Sequence, residues 1–150
     1  MRRLFLTFFY TGLSPKAPGT MGSLLALIFG VLILRYISLE TLFLGAFLLS
    51  LAGIKEINAY EAEGGEHDDK SIVIDEVVGM WLALVLSSGT LLQIALSFFF
   101  FRLFDIWKPS LIGRIDANVK GGLGVMGDDI LAGIIAGICS AGVFQIISLL

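Results

Sequence analysis

The chain has 150 residues, 57% of them hydrophobic and 15% charged, with a formal net charge of −3 and a mean hydropathy of +0.93. Soluble domains are about 45–50% apolar and about 25% charged, so this is a membrane-protein composition, and the length suits a single domain over residues 1–150. The small net charge and the lack of a basic stripe argue against nucleic acid as a partner. The lone Cys139 excludes an internal disulfide and reads as a small apolar packing residue.

The opening MRRLFLTFFYTGLSP has two arginines and a short apolar run. No A-x-A-like cleavage site follows, so it predicts a short helix near the membrane surface rather than a signal peptide. Ser14–Thr20, SPKAPGT, cannot continue a helix. Thr20 or Gly22-Ser23 then stands where the next helix, Met21–Ile37, needs a cap. That helix is long enough to cross a bilayer, with Arg35 near its far end to reach the interface. A second span is expected from Thr41 to Ile54, continuing through Lys55 and Glu56 toward Asn58.

Tyr60–Ser71 reads as a solvated acidic loop, with five acids, the only histidine (His67) and a Gly64-Gly65 break. The third span, Ser71–Leu86, carries Asp75 and Glu76 about one turn inside an apolar helix. Gly79 and Ala83 follow Asp75 at four-residue steps, so one face bears an acid and then small residues that allow close helix approach. After a turn at Ser87–Thr90 comes a fourth span, Leu91–Trp107, with Arg102, Asp105 and Lys108 along one side and Pro109 limiting its extent. A loop is expected from Lys108 to Asp128. The fifth span, Asp129–Leu150, holds Gly133 and Gly137 in a GxxxG pattern. The expected fold is therefore all-α, an integral membrane helical bundle of about five transmembrane helices plus a short N-terminal interfacial helix.

Five alternating spans would sort the charges by face. Only Arg35 and Glu40, of 23 charged residues, would lie on one side. The basic residues on the other side mark it as cytoplasmic. Asp75-Glu76, Arg102/Asp105/Lys108 and Asp128-Asp129 would then share that face as one polar cluster. Carboxylates so close together repel unless protonated or bridged by cations. A hard divalent metal with oxygen ligands resolves this, and Mg²⁺ is the usual choice for phosphate chemistry. Arg102 and Lys108 beside it suit a phosphate oxyanion. The glycines of Lys120–Asp129 precede a helix start, where backbone N–H groups can cradle an anion. Plainer readings stand beside these: Asp128 as a helix cap, Arg102–Asp105 as a structural ion pair, His67 as loop, and Lys16, Thr20 and Ser23 as turn and cap residues. Asp75-Glu76 is harder to dismiss, because two adjacent acids inside an apolar helix cost several kcal/mol without partners.

Other lipid-phosphate chemistries do not fit. A histidine-nucleophile phosphatase needs two histidines, and there is one. No arginine follows Cys139, and neither a DxDx[TV] pattern nor the spaced aspartates of CDP-alcohol phosphotransferases are present. Carboxylate-and-metal hydrolysis remains.

Four blocks taken together carry a resemblance: SPxxPGTxGS at Ser14–Ser23, HD…SIVxDExxGMW at His67–Trp81, FRxxDxWKP at Phe101–Pro109 and GGxGxMxDDxxAG at Gly121–Gly133. In that order they resemble the phosphatidylglycerophosphatase A family over most of the chain. The resemblance implies a Mg²⁺-dependent phosphatase that converts phosphatidylglycerophosphate to phosphatidylglycerol and inorganic phosphate, as a multi-pass protein of the bacterial inner membrane with its site facing the cytoplasm. It implies Asp75, Glu76, Asp105, Asp128 and Asp129 as metal ligands or general bases, and Arg102 and Lys108 as phosphate holders. His67 and Asp68 are second-rank binding candidates, Thr20 and Ser23 would add hydroxyl contacts, and the apolar spans would seat the acyl chains. The competing class is an ion-coupled transporter or ion-binding membrane protein, which also needs intramembrane acids. Against it, the charges collect at one face rather than at the midplane, and no inverted repeat is visible.

Overall fold

A computed structural model describes residues 1–67, 69–87 and 89–149. All regular elements among them are helical: α1 (Arg2–Leu6), a 3₁₀ turn (Thr11–Leu13), α2 (Pro18–Tyr36), α3 (Leu39–Ala62), α4 (Ile74–Val85), α5 (Leu91–Trp107), α6 (Leu111–Asn118) and α7 (Gly122–Ser148). The all-α expectation holds. By length and composition α2, α3 and α7 can each cross a membrane. Their outward residues are large and apolar, among them Ile28 and Leu32 on α2, Phe43 and Phe47 on α3, and Ile138 on α7. Such a belt is stable only against lipid.

The centre of the bundle is α4. It has 12 residues, about 18 Å of helix, and nine of them are buried. It packs against α2, α3, α5 and α7, so little of it is left to face lipid. The contact with α7 is made backbone to backbone. A Cβ on Gly133 would collide with the Gly79 carbonyl, and one on Gly137 would lie 2.9 Å from the Ala83 carbonyl oxygen. The small-residue faces expected on both helices therefore meet each other. Gly79 faces Gly133 and Ala83 faces Gly137, so the helices run parallel and in step. One turn upstream, the same register sets Asp75 opposite Asp129.

At the other end of this contact the polar groups are neutral and paired. Ser140 donates to the Gln93 carbonyl at 3.0 Å, and Ser97 to the Ala83 carbonyl at 3.5 Å. Interhelical bonds of this kind hold helices together where water is absent.

Several boundaries differ from expectation. α2 starts at Pro18, with Ala17 at its N-cap, because proline is well suited to the first helical position. Neither Thr20 nor Ser23 caps it. α3 runs on to Ala62, so the acidic loop starts later than expected. α5 spans Leu91–Trp107 as expected, and Lys108 turns left-handed ahead of Pro109. The expected loop after it contains α6, an eight-residue helix that buries Ile112. Its apolar pattern is too short to show periodicity in the sequence.

The last helix starts at Gly122, seven residues before the expected Asp129. Asp128 and Asp129 thus lie well inside it, and Asp128 is no cap. The glycines ahead of them are used for packing rather than to cradle an anion. A Cβ on Gly122 would meet the Ile54 backbone, and one on Gly124 would collide with the Val119 carbonyl. The Gly122 N–H is already taken by Asn58 Oδ1 at 2.7 Å.

Candidate active site

α4 begins with its acids. Asp75 and Glu76 occupy its first turn, where the positive end of the helix dipole favours carboxylates. Asp75 Oδ1 accepts the Glu76 N–H at 3.1 Å. Across the glycine contact stand Asp128 and Asp129, 4% and 3% exposed. One carboxylate oxygen each from Asp75, Glu76 and Asp129 lies within 4.8 Å of the others.

α5 supplies the cations. Arg102 Nη1 donates to Asp105 and, at 3.2 Å, to Ser23 Oγ. Ser23 in turn donates to the Gly19 carbonyl at 2.7 Å. Lys108 Nζ donates to Asp128 Oδ2 at 2.7 Å and to Asp116 Oδ1 at 2.5 Å. Burial works against the Lys108 charge, but these two ion pairs outweigh it and hold its pKa above the usual lysine value.

Asp75, Glu76, Arg102, Asp105, Lys108, Asp128 and Asp129 line one polar cavity of about 270 Å³. Its wall includes Ala17, Pro18 and Gly19, the start of α2. Gly19 lies against both charged groups: a Cβ there would displace the Glu76 carboxylate and come within 3.4 Å of Arg102 Nη1.

Three buried polar atoms in this cluster have no partner: Glu76 Oε2, Asp128 Oδ1 and Arg102 Nε. Buried unpaired groups of this kind cost free energy that native proteins rarely give up without a reason. Two lone carboxylate oxygens beside a convergent trio of acids fit a bound cation, and the all-oxygen donor set fits a hard one. The unpaired Arg102 Nε fits an anion beside it.

The structure thus gathers Asp75, Glu76, Arg102, Asp105, Lys108, Asp128 and Asp129 as expected. Others it does not gather. His67 Nδ1 pairs with Glu61 at 2.6 Å and lines a separate small cavity with Asp116 and Val119. Ser23 is buried behind Arg102, where it positions the guanidinium instead of facing the cavity. Thr20 is not on the cavity wall. Asp68 falls outside the described residues.

Asp69, Lys70 and Asp116 were missed. Asp69 and Lys70 line the cavity, and Asp116 shares Lys108 with Asp128. Asp69 accepts from the Tyr60 hydroxyl at 2.7 Å and from the Ser71 N–H at 2.9 Å. The Tyr60 bond above all holds its pKa below the ordinary aspartate value. For Asp69 and Lys70 the only signal was their place inside the second block, His67–Trp81.

A membrane helical bundle with buried acids that could hold a metal, paired cations and a polar cavity at one end is the architecture of an integral membrane protein with a charged ligand site. The comparisons narrow this class. The chain matches the phosphatidylglycerophosphatase A family over residues 4–144 and belongs to it. It is 41% identical over 140 residues to phosphatidylglycerophosphatase A of Escherichia coli K12, covering 93% of this chain and 78% of that protein. It is 39% identical over 129 residues to phosphatidylglycerophosphatase A of Haemophilus influenzae, covering 85% and 79%. A Bacteroides thetaiotaomicron protein named "Putative phosphatidylinositol-3-phosphatase" is 38% identical over 135 residues, covering 85% and 84%. No solved structure matches the chain.

Proposed function

We propose that the polar cavity is where this phosphatidylglycerophosphatase, a phosphoric monoester hydrolase, removes the terminal phosphate of phosphatidylglycerophosphate with Mg²⁺. The observation that carries the reading is the convergence of Asp75, Glu76 and Asp129 beside the unpartnered Glu76 Oε2. These three would hold the metal. When bound, it would neutralise phosphoryl charge and lower the pKa of an attacking water.

The protein's own groups divide the remaining work. Arg102, steadied by Asp105 and Ser23, aims its unpaired Nε at a phosphoryl oxygen. Lys108 Nζ is a second donor to the phosphate. Asp128 Oδ1 has no partner while its Oδ2 is held by Lys108, so Oδ1 is the acceptor for the proton of the attacking water. Water adds to phosphorus, the P–O bond to the glycerol breaks, and the departing oxygen takes up a proton. Inorganic phosphate and phosphatidylglycerol result.

The sequence and the fold together support a five-span arrangement in which α4 lies at the centre and α5 packs beside it against α7 and α2, with Leu91, Phe99 and Ile106 facing outward. Ion pairs and hydrogen bonds already gather the charged helix ends: Arg2 with Glu56 and Glu63, Arg102 with Ser23, Lys108 with Asp128. The positive-inside rule makes that end cytoplasmic, in the inner membrane of a bacterium. A single cysteine from Lys120→Cys in a Cys139→Ser background should then react with an impermeant thiol reagent only in inverted vesicles. Labelling in right-side-out vesicles would reverse the orientation.

The decisive assay is phosphate release by the purified protein in detergent. Phosphatidylglycerophosphate should be hydrolysed with Mg²⁺, and EDTA should abolish the release. No release with any divalent metal would overturn the reading. The name of the Bacteroides relative points to another headgroup, so phosphatidylinositol 3-phosphate belongs in the same assay. Faster turnover of that lipid would reassign the substrate and leave the chemistry in place.

A further inference from the structure

A second cavity lies beside the acidic one, and the two share Asp69 and Ile72 as common wall. It has a volume of about 400 Å³ and is lined by Arg2, Arg3, Thr7, Tyr60 and Ser71. Its basic character comes from α1. Arg2 is committed to Glu56 at 3.0 Å and to Glu63 at 2.5 Å. Arg3 forms no ion pair among the described residues. The Asp69 carboxylate in the shared wall is occupied by Tyr60 and the Ser71 N–H, which leaves Arg3 as the uncommitted charge of this cavity.

The other side of α1 is apolar. Met1, Leu4 and Phe5, with Phe8 and Trp81, line a groove of about 510 Å³ that reaches Ile74, the residue next to Asp75. The turn after α1 is built to hold this placement. Phe8, Phe9 and Tyr10 are all left-handed, a conformation that costs non-glycine residues free energy. The Leu6 carbonyl accepts the Val73 N–H at 2.9 Å, tying α1 to the start of α4.

We propose that Arg3 and the cavity it lines bind the phosphodiester of the lipid, the phosphate that is not cleaved, and that the apolar groove of α1 takes the adjoining acyl chain. The idea rests on the assigned substrate class, which carries a phosphodiester and a phosphomonoester one glycerol apart. Two adjoining cavities, one acidic and suited to a metal-bound monoester, the other with a free guanidinium, match those two groups in charge. The apolar groove on the opposite face of the same helix matches the acyl chain. Arg3 is then a specificity residue: it contacts the part of the lipid that a simple phosphomonoester lacks.

Product inhibition separates the two subsites, because phosphatidylglycerol keeps the diester while inorganic phosphate resembles only the released group. In neutral detergent micelles at fixed lipid fraction, Arg3→Gln should weaken inhibition by phosphatidylglycerol about tenfold, the loss expected for one charge-assisted contact. Inhibition by inorganic phosphate should stay the same. Arg3→Met, which keeps an apolar stem in place, should repeat the result. Lys55→Gln, which removes another exposed charge, should not, since its only effect would be on general attraction of anionic lipid. Unchanged phosphatidylglycerol inhibition in both Arg3 variants, an equal loss with inorganic phosphate, or an equal loss in Lys55→Gln would each overturn the proposal. Failure of the unmodified protein to release phosphate from phosphatidylglycerophosphate would instead strike the assigned function, and it shows before any variant is made.

Discussion

The two ends of the α4–α7 contact are built from one backbone register but opposite chemistry. Beyond Ala83 and Gly137, the buried polar groups are Ser87, Gln93, Ser97 and Ser140, all neutral and hydrogen-bonded. Beyond Gly79 and Gly133 in the other direction lie Asp75, Asp128 and Asp129, also buried, with Glu76 beside them and two carboxylate oxygens unpartnered. The neutral end is satisfied by the protein itself and accounts for assembly. The acidic end is not satisfied by the protein itself, and its unpaired groups are a stability cost that protonation or a bound cation would remove. A parallel, close-packed helix pair therefore serves as a ruler. Small residues bring the backbones together, and the residues one turn away inherit that closeness whether or not they repel.

The comparison can be tested from both ends. The largest effect should come from Asp129→Asn. It removes one of the three converging carboxylates proposed to hold the metal, so phosphate release should fall by about 10²–10³-fold, a range like that seen on losing a key electrostatic group. It also removes a repelling charge, so thermal stability in EDTA should rise. Full activity in this variant would return Asp129 to a structural role, and a lower melting temperature would contradict the repulsion argument. Next is Gly133→Leu, which drives a side chain into the Gly79 carbonyl. It should cost about 3 kcal/mol or more and disable both ends together, seen as a fall in melting temperature alongside lost activity.

Lys108→Ala is more selective. It frees Asp128 from its cation and removes a phosphate donor, so KM should rise about tenfold with a smaller change in kcat. An unchanged KM would leave Lys108 as a structural partner of Asp116 and Asp128. The smallest effect belongs to the neutral end. Ser140→Ala should cost about 0.6 kcal/mol, the mean measured for interhelical hydrogen bonds in a membrane protein, and leave turnover intact. If Ser140→Ala lowered turnover as far as Lys108→Ala, the division of labour between the two ends would fail.

Much of the site was legible because its residues break a local rule. Acids inside an apolar helix are conspicuous at Asp75-Glu76, as are an acid pair at the mouth of an apolar segment at Asp128-Asp129 and an i, i+3 pair at the end of a phenylalanine-rich span. Residues that obey local rules were hidden. Asp116 is an exposed acid on a short helix and gains meaning only through Lys108. Asn58 is an ordinary polar residue until it caps the Gly122 N–H. His67 drew attention by being unique in the chain, yet uniqueness is not a physical constraint, and it pairs with Glu61 away from the acids.

By itself the sequence determined the class of fold, the helical nature of each apolar stretch and which acids and cations come together at one end of the bundle. Those follow from composition, length and the cost of a charge in an apolar segment, all of which are local quantities. Tertiary structure alone decided where α7 begins and so whether Asp128 caps a helix or floors a cavity. It also decided that Ser23 stands behind Arg102, that the 120s glycines pack instead of binding an anion, and that α1 lays Arg3 beside the acidic cavity. Each of these depends on which backbones can approach within a side chain's width, and that is settled by the whole bundle packing at once.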